Sequence, residues 1–107
     1  VLGWRAQDRQ AHYAAAKAGV MALTRCSAIE AAERGVRINA VAPSLAMHPN
    51  LEKVTPPGLL EELKAAEAFG RGAEPWEVAN VMVFLASDLS SYCTGITLDV
   101  NGGMLIH

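Results

Sequence analysis

The sequence predicts an α/β fold from three observations. Residues 10–34 contain no proline and are rich in alanine, which favours one long helix. Segment 36–42 is short, contains β-branched residues and lies between a glycine and a proline, and its alternation puts Val36, Ile38, Ala40 and Ala42 on one side, as expected of a strand. The order then repeats with a helix predicted over 75–87 and a strand over 96–100, and helices that alternate with strands are typical of an α/β sheet.

The long helix and the strand after it have clear boundaries. Gly35 suits a left-handed helix stop, and Pro43 is expected to end the strand 36–42. The helix is apolar on several sides, which indicates that it is buried or packs against a second subunit.

The second half begins with a loop and short helix over 44–69. Three prolines interrupt its first part, and an amphipathic helix is expected over 58–66. Pro75 suits the first turn of the next helix because its missing N–H is not needed there. Glu77 places negative charge near the positive end of that helix.

Length and composition limit the classes of protein that fit. The chain of 107 residues is one domain at most, and two strands are too few for a stable doubly wound sheet, so we expect the fold to be unfinished. A net charge of −2 without a basic block disfavours nucleic acid. No apolar run approaches the roughly 18 residues of a membrane span, and no signal peptide is evident, which predicts a cytoplasmic protein. Cys26 and Cys93 are expected to be free thiols, and no set of residues has metal-ligand spacing.

Tyr13 and Lys17 form the candidate catalytic pair. Four residues on a helix are about one turn, so both side chains project from one face. A nearby cation favours the phenolate form of a tyrosine, which would let the pair exchange a proton with a substrate hydroxyl. Taken alone, this spacing also fits an ordinary helix surface.

The surrounding motifs strengthen the catalytic interpretation. The chain closely resembles, over essentially all of its length, the C-terminal half of the short-chain dehydrogenase/reductase family. The resemblance rests on Tyr-Ala-Ala-Ala-Lys at 13–17, Gly-Val-Arg-Ile-Asn-Ala-Val-Ala-Pro at 35–43, Phe-Leu-Ala-Ser-Asp at 84–88, and Asp-Val-Asn-Gly-Gly at 99–103. It implies the C-terminal part of a Rossmann-type doubly wound parallel sheet, without the N-terminal half that binds the cofactor's phosphates.

The resemblance also implies roles for particular residues. Tyr13 exchanges a proton with a carbonyl or alcohol substrate, while Lys17 lowers the pKa of that phenol and binds the nicotinamide ribose of NAD or NADP. The segment 43–46 (Pro43, Ser44, Leu45 and Ala46) lies along the nicotinamide, and 44–69 is the variable substrate region, with Met47 and His48 as candidate substrate contacts.

The sequence departs from the family pattern in three places. Ser44 stands where the family usually has glycine, and His48 lies near a position that is commonly threonine. The glycine-rich turn and the catalytic serine are absent from the 107 residues. We therefore expect the chain alone to bind the cofactor poorly and to lack dehydrogenase activity.

A second interpretation of the sequence is a non-enzymatic module. In this view the chain is a truncated relative of the family that associates with itself through the apolar helix 10–34. Both interpretations predict a homo-oligomer, because a partial sheet with open edges and an apolar helix favours pairing.

Overall fold

The structure, a computed structural model, describes residues 11–56 and 58–106. The elements in chain order are α1 (Ala11–Ala32), β1 (Ala40–Pro43), α2 (Leu51–Val54), α3 (Leu59–Ala66), α4 (Pro75–Ala86), a 3-10 turn (Asp88–Ser90) and β2 (Thr97–Val100). The strands β1 and β2 pair in parallel, with Ala40 opposite Thr97 and Pro43 opposite Val100. The predicted α/β class is therefore confirmed.

Helix α1 is slightly shorter than the predicted helix 10–34. Gln10 lies outside the described residues, and the helix ends at Ala32. Beyond it the chain tightens, because the Arg34 and Gly35 amides each donate to a carbonyl three residues earlier at 3.0 Å. Gly35 has a φ of 67°, the left-handed conformation expected of a glycine that ends a helix.

Strand β1 begins four residues later than predicted. The preceding residues bond to the loop before β2: the Ile38 amide donates to Thr94 Oγ1 at 3.1 Å, and the Asn39 side chain bridges the Cys93 carbonyl and the Ile96 amide. Because β2 begins only at Thr97, a ladder partner exists only from Ala40 onward. Bonding to the facing loop therefore overrides the alternating pattern of 36–39.

Pro43 belongs to β1, although the sequence placed it after the strand. In this parallel pair the amides of Ala40 and Ser44 donate to carbonyls of the β2 side, those of Ile96 and Val100. Donors toward a given neighbour recur at every second residue of a strand, so the nitrogen of Pro43 is not needed for this ladder. A proline is tolerated at such a position.

The segment 44–69 contains two helices rather than the one expected. Helix α2 forms within the stretch that the prolines had marked as loop, and it is a single turn of four residues. Helix α3 follows Gly58, whose φ of 84° suits glycine at this chain reversal. The segment then returns to the sheet, where Ala73 forms an isolated parallel bridge with Ala46.

Helix α4 ends at Ala86, one residue earlier than predicted, because Ser87 turns the chain into the 3-10 turn. At its other end the Arg71 guanidinium binds both carboxylate oxygens of Glu77 at 2.8 Å. The same carboxylate accepts the Glu74 amide at 2.8 Å, which satisfies a backbone donor at the start of the helix.

A half-buried arginine, Arg37, organises the corner between α4 and the sheet. Arg37 donates to four backbone carbonyls and one hydroxyl at 2.8–3.3 Å, those of Leu85, Ser87, Ser90 and Cys93 and the Ser90 side chain. Ser90 is itself buried. This cluster, the Arg37 corner, closes the end of α4 against the loop that leads into β2.

The buried apolar core of the described residues is small. It consists of Met21 and Ala28 of α1 and Val78 and Leu85 of α4. Large apolar side chains remain exposed on α1 and α4, including Leu23, Ile29, Met82 and Val83. Within the described residues, no helix combines the length and apolar character needed to cross a membrane.

Candidate active site

The Tyr13 and Lys17 side chains lie together on one face of α1. The Lys17 ammonium sits 5.3 Å from the centre of the Tyr13 ring, within the range of a favourable contact between a cation and an aromatic face. The tyrosine is 44% exposed. The one-turn spacing thus brings together the two groups that the sequence paired.

Both side chains line a cleft of about 250 Å³ between α1 and the sheet. Its other walls come from α1, from β1 with the residue after it, and from β2: Val20, Met21, Ala40, Val41, Ala42, Pro43, Ser44 and Thr97. Pockets for drug-sized ligands run roughly 300–1,000 Å³. The cleft formed by the described residues is smaller than such a pocket.

The floor of this cleft carries an unsatisfied polar atom. The Thr97 hydroxyl oxygen is buried and has no hydrogen-bond partner within the described part of the chain. Buried hydroxyls are nearly always paired with protein or ordered water. A polar group from outside the described residues is therefore expected at this point.

The predicted cofactor segment divides into two parts. Pro43 and Ser44 line the cleft together with Tyr13 and Lys17. Leu45 and Ala46 do not line it and instead meet the returning chain, where the Ala73 amide donates to the Leu45 carbonyl at 2.7 Å. The assignment of Leu45 and Ala46 to the cofactor stays a prediction.

The two predicted substrate contacts also lie apart from the cleft. Met47 packs over Gly72, where an added Cβ would come within 3.0 Å of the methionine side chain. His48 is exposed at the start of the loop that leads to α2. Their role as substrate contacts remains a prediction.

Sequence reasoning missed Glu67, a buried carboxylate at the edge of the site. The residue is only 4% exposed, and its Oε1 accepts a hydrogen bond of 2.6 Å from the Ser44 hydroxyl. In sequence, Glu67 follows Leu60 and Leu63 at helical spacing, which would place a charge among apolar side chains. The structure instead ends α3 at Ala66, and Glu67 lies just beyond it in an extended conformation.

A family model described as enoyl-(acyl carrier protein) reductase matches residues 1–105 of the chain. The chain belongs to the short-chain dehydrogenase/reductase family. This confirms the resemblance that the motifs indicated.

Named relatives of the family are reductases and dehydrogenases. The chain is 69% identical over 101 residues to a (5R,7aS)-5-hydroxy-7a-methyl-1-oxo-2,3,5,6,7,7a-hexahydro-1H-indene-carboxyl-CoA reductase of Mycobacterium tuberculosis, covering 94% of this chain and 38% of the relative. It is 43% identical over 106 residues to the 3-oxoacyl-[acyl-carrier-protein] reductase FabG of Thermotoga maritima, covering 99% and 43%. The chain thus spans less than half the length of these relatives.

A solved structure of the family shares the fold. The crystal structure of a short chain dehydrogenase from Mycobacterium smegmatis matches with a TM-score of 0.73 and 62% identity, over 94% of this chain and 34% of that one. Together with the parallel pairing of β1 and β2, this identifies the described architecture as part of a Rossmann-type fold.

Proposed function

We propose that the complete protein containing this chain is an NAD(P)-dependent oxidoreductase that interconverts a carbonyl and an alcohol. Tyr13 is the acid/base and Lys17 its cationic partner. The observation that carries the proposal is the placement of these two side chains on one face of α1, in a cleft against the sheet. Both named relatives, a carboxyl-CoA reductase and a 3-oxoacyl-[acyl-carrier-protein] reductase, support this class of reaction.

The cleft gives each of its residues a chemical task. The Tyr13 hydroxyl donates its proton to the oxygen of the carbonyl that is being reduced, or accepts one from an alcohol in the reverse direction. The Lys17 ammonium, 5.3 Å from the ring centre, stabilises the negative charge left on the phenolate. We assign Lys17, Pro43 and Ser44, which line the cleft, to the nicotinamide end of NAD(P), which would supply or accept the hydride when bound.

The substrate we propose is a carbonyl compound carried as a thioester. The relative at 69% identity is named for a bicyclic carboxyl-CoA compound, and the relative at 43% for an acyl group on a carrier protein. Comparing a ring ketone as its CoA thioester with the free acid tests this choice. Equal kcat/KM for the two forms would argue against recognition of the carrier.

The decisive experiment uses the complete product of the gene that encodes these residues. We expect oxidation of NADH or NADPH with a panel of ketones and thioesters, followed by absorbance. Tyr13→Phe should lower kcat/KM by roughly 100- to 10,000-fold, the usual contribution of a positioned acid/base. Tyr92→Phe is the matched control, because Tyr92 is fully exposed and lies outside the cleft. Full activity in the Tyr13 variant, or no turnover of any carbonyl by the wild type, overturns the proposal.

A second candidate, self-association of the 107 residues without catalysis, is favoured by the surface of α1. Leu23 and Ile29 are 66% and 77% exposed on this helix, which leaves large apolar side chains available for contact with another protein surface. For the isolated chain we expect an oligomer by light scattering and no turnover with either cofactor. A stable monomer counts against association, and turnover by the isolated chain counts against the need for further sequence.

A further inference from the structure

We propose that Glu67 is a positioning residue for the cofactor side of the cleft. Its carboxylate fixes the segment 43–46 and ties it to the end of the substrate loop 44–69. The inference rests on the proposed function, since it names a residue that shapes the same cleft without touching the reacting atoms.

The hydrogen bonds of Glu67 are directed at the segment after β1. The Ser44 hydroxyl donates to Glu67 Oε1 at 2.6 Å, and the Leu45 amide donates to the same oxygen at 3.4 Å. Hydrogen bonds of hydroxyl donors to carboxylates at about 2.5–2.7 Å are roughly twice as strong as neutral ones. Since Ser44 also lines the cleft beside Tyr13, the carboxylate sets where one wall of the cleft lies.

The surroundings of Glu67 hold the carboxylate in place. An added Cβ on Gly102 would come within 2.8 Å of Glu67 Oε2, so the turn after β2 closes tightly over the carboxylate. The Phe69 amide donates to the Gly102 carbonyl at 3.1 Å, which pins the chain just beyond Glu67 to the same turn. The carboxylate is therefore held against the end of the sheet, and its hydrogen bond to Ser44 holds that residue in place.

A second small cavity shows why Ser44, rather than a cation, is the partner. It measures about 100 Å³ and has Ser44, Glu67 and Arg71 among its lining residues. The Arg71 guanidinium faces the same cavity but binds both oxygens of Glu77 at 2.8 Å. Ser44 thus lies between the cleft of Tyr13 and the smaller cavity that Glu67 lines. The hydrogen bond from Ser44 to Glu67 connects these two spaces.

A double-mutant cycle tests the link in the complete gene product. The single variants are Ser44→Ala and Glu67→Gln, and Glu67→Ala removes the acceptor altogether. The readouts are Kd for NADH and NADPH by fluorescence titration, and the thermal midpoint Tm. Glu33→Ala, an exposed carboxylate beyond α1, is the control.

We expect Glu67→Ala and Ser44→Ala each to raise the Kd of the preferred cofactor by about tenfold, and the double variant to be no worse than either alone, because residues that share one bond are not additive. Glu67→Gln keeps an acceptor oxygen and should recover most of the affinity. If the two effects multiply, the residues act independently and the inference is wrong. A lower Tm with unchanged Kd would also overturn it, since that is the signature of a role in folding alone.

A measurement that needs no turnover separates this inference from the proposed function. Amide hydrogen exchange at residues 44–47 should be at least about tenfold faster in Glu67→Ala than in the wild type, because the segment loses its anchor. Unchanged exchange rejects the anchoring role even in an active enzyme. If the wild type turns over no carbonyl while the exchange and cofactor effects appear, the proposed function fails and the positioning role stands.

Discussion

Helix α1 and the Arg37 corner are stabilised in different ways. The corner draws α4, the 3-10 turn and the loop before β2 together through five hydrogen bonds from one guanidinium. Helix α1 carries the candidate catalytic pair, Tyr13 and Lys17, but buries only Met21, Thr24 and Ala28. The Thr24 hydroxyl donates back to its own helix at 2.8 Å. Long-range hydrogen bonds therefore hold the Arg37 corner together, whereas helix α1 is held by a few buried residues along one side.

The difference indicates that the Arg37 corner serves stability, whereas the face of α1 with Tyr13 and Lys17 is available for binding and chemistry. The corner satisfies its carbonyls internally, and its loss should appear in stability. The α1 face with Tyr13 and Lys17 is open, and its loss should appear in activity. Changes on either side of this division test it.

The largest expected effect is on activity. Lys17→Ala removes the cation beside Tyr13 and should lower kcat/KM of the complete protein by roughly 100-fold or more. Lys17 is exposed, so the free energy of unfolding should change by less than about 0.5 kcal/mol. Steady-state kinetics and chemical denaturation measure the two. Arg25→Ala, an exposed cation on the same helix outside the cleft, should change neither. A Lys17 variant that is unstable but fully active would show that Lys17 serves stability and not activity.

The next effect is on stability. Arg37→Ala removes the guanidinium from the carbonyls of Leu85, Ser87 and Ser90, each of which keeps a second donor from Ser90 or Cys93. Losing these charge-assisted bonds should lower the free energy of unfolding by about 2 kcal/mol. Urea denaturation measures the loss. The exposed Arg34 provides the control, because Arg34→Ala should stay within about 0.5 kcal/mol. An Arg37 variant of wild-type stability would show that the hydrogen bonds of the Arg37 corner do not stabilise the fold.

A pair of glycines probes the contact between α1 and the loop before β2. Gly95 has a φ of 74°, and an added Cβ would lie 3.4 Å from the Ala28 side chain, so Gly95→Ala should cost about 1–2 kcal/mol from the left-handed backbone alone. Gly19 lies within α1 with nothing within 4 Å of an added Cβ, and Gly19→Ala should stabilise by up to about 1 kcal/mol. Thermal denaturation reads both signs. Equal effects from the two changes would contradict the described backbone at Gly95.

The smallest effect concerns pH. The hydrogen bonds from Arg71, followed by the bond from the Glu74 amide, lower the pKa of Glu77 from 4.5 to about 2. Because the folded pKa lies below the ordinary value, this stabilisation is present above about pH 4.5 and is lost as the pH falls toward 2. In Arg71→Ala, the free energy of unfolding should therefore fall less steeply between these two pH values than in the wild type. Denaturation at a series of pH values measures this. An acid limb that is identical in the variant would show that the pair does not contribute.

Much of the fold was accessible from the sequence because its signals are local. Alanine content and Gly35 predicted α1 to within two residues at its C-terminus, and Pro75 placed the start of α4. The start of β1 was predicted too early, because the alternation over 36–39 could not reveal that the facing chain is a loop until Thr97. Helix α2 was missed because its single turn is too short to show a period.

The candidate site was predictable only in part, for the same reason. Tyr13 and Lys17 are neighbours through helix geometry alone, so their spacing sufficed to place them together. Glu67 and Ser44 are 23 residues apart, and no local pattern connects them. The separation of Leu45 and Ala46 from the cleft likewise depends on the bridge to Ala73, which is formed by returning chain.

The sequence by itself determined the α/β class, the family and the pairing of a phenol with an ammonium on one helix, because these depend on residue type and on spacings of a few residues. Tertiary structure decided where β1 begins, which carbonyls Arg37 binds and which side chain faces Ser44. Each of these depends on segments more than twenty residues apart, and contacts at that distance form only when the chain has folded.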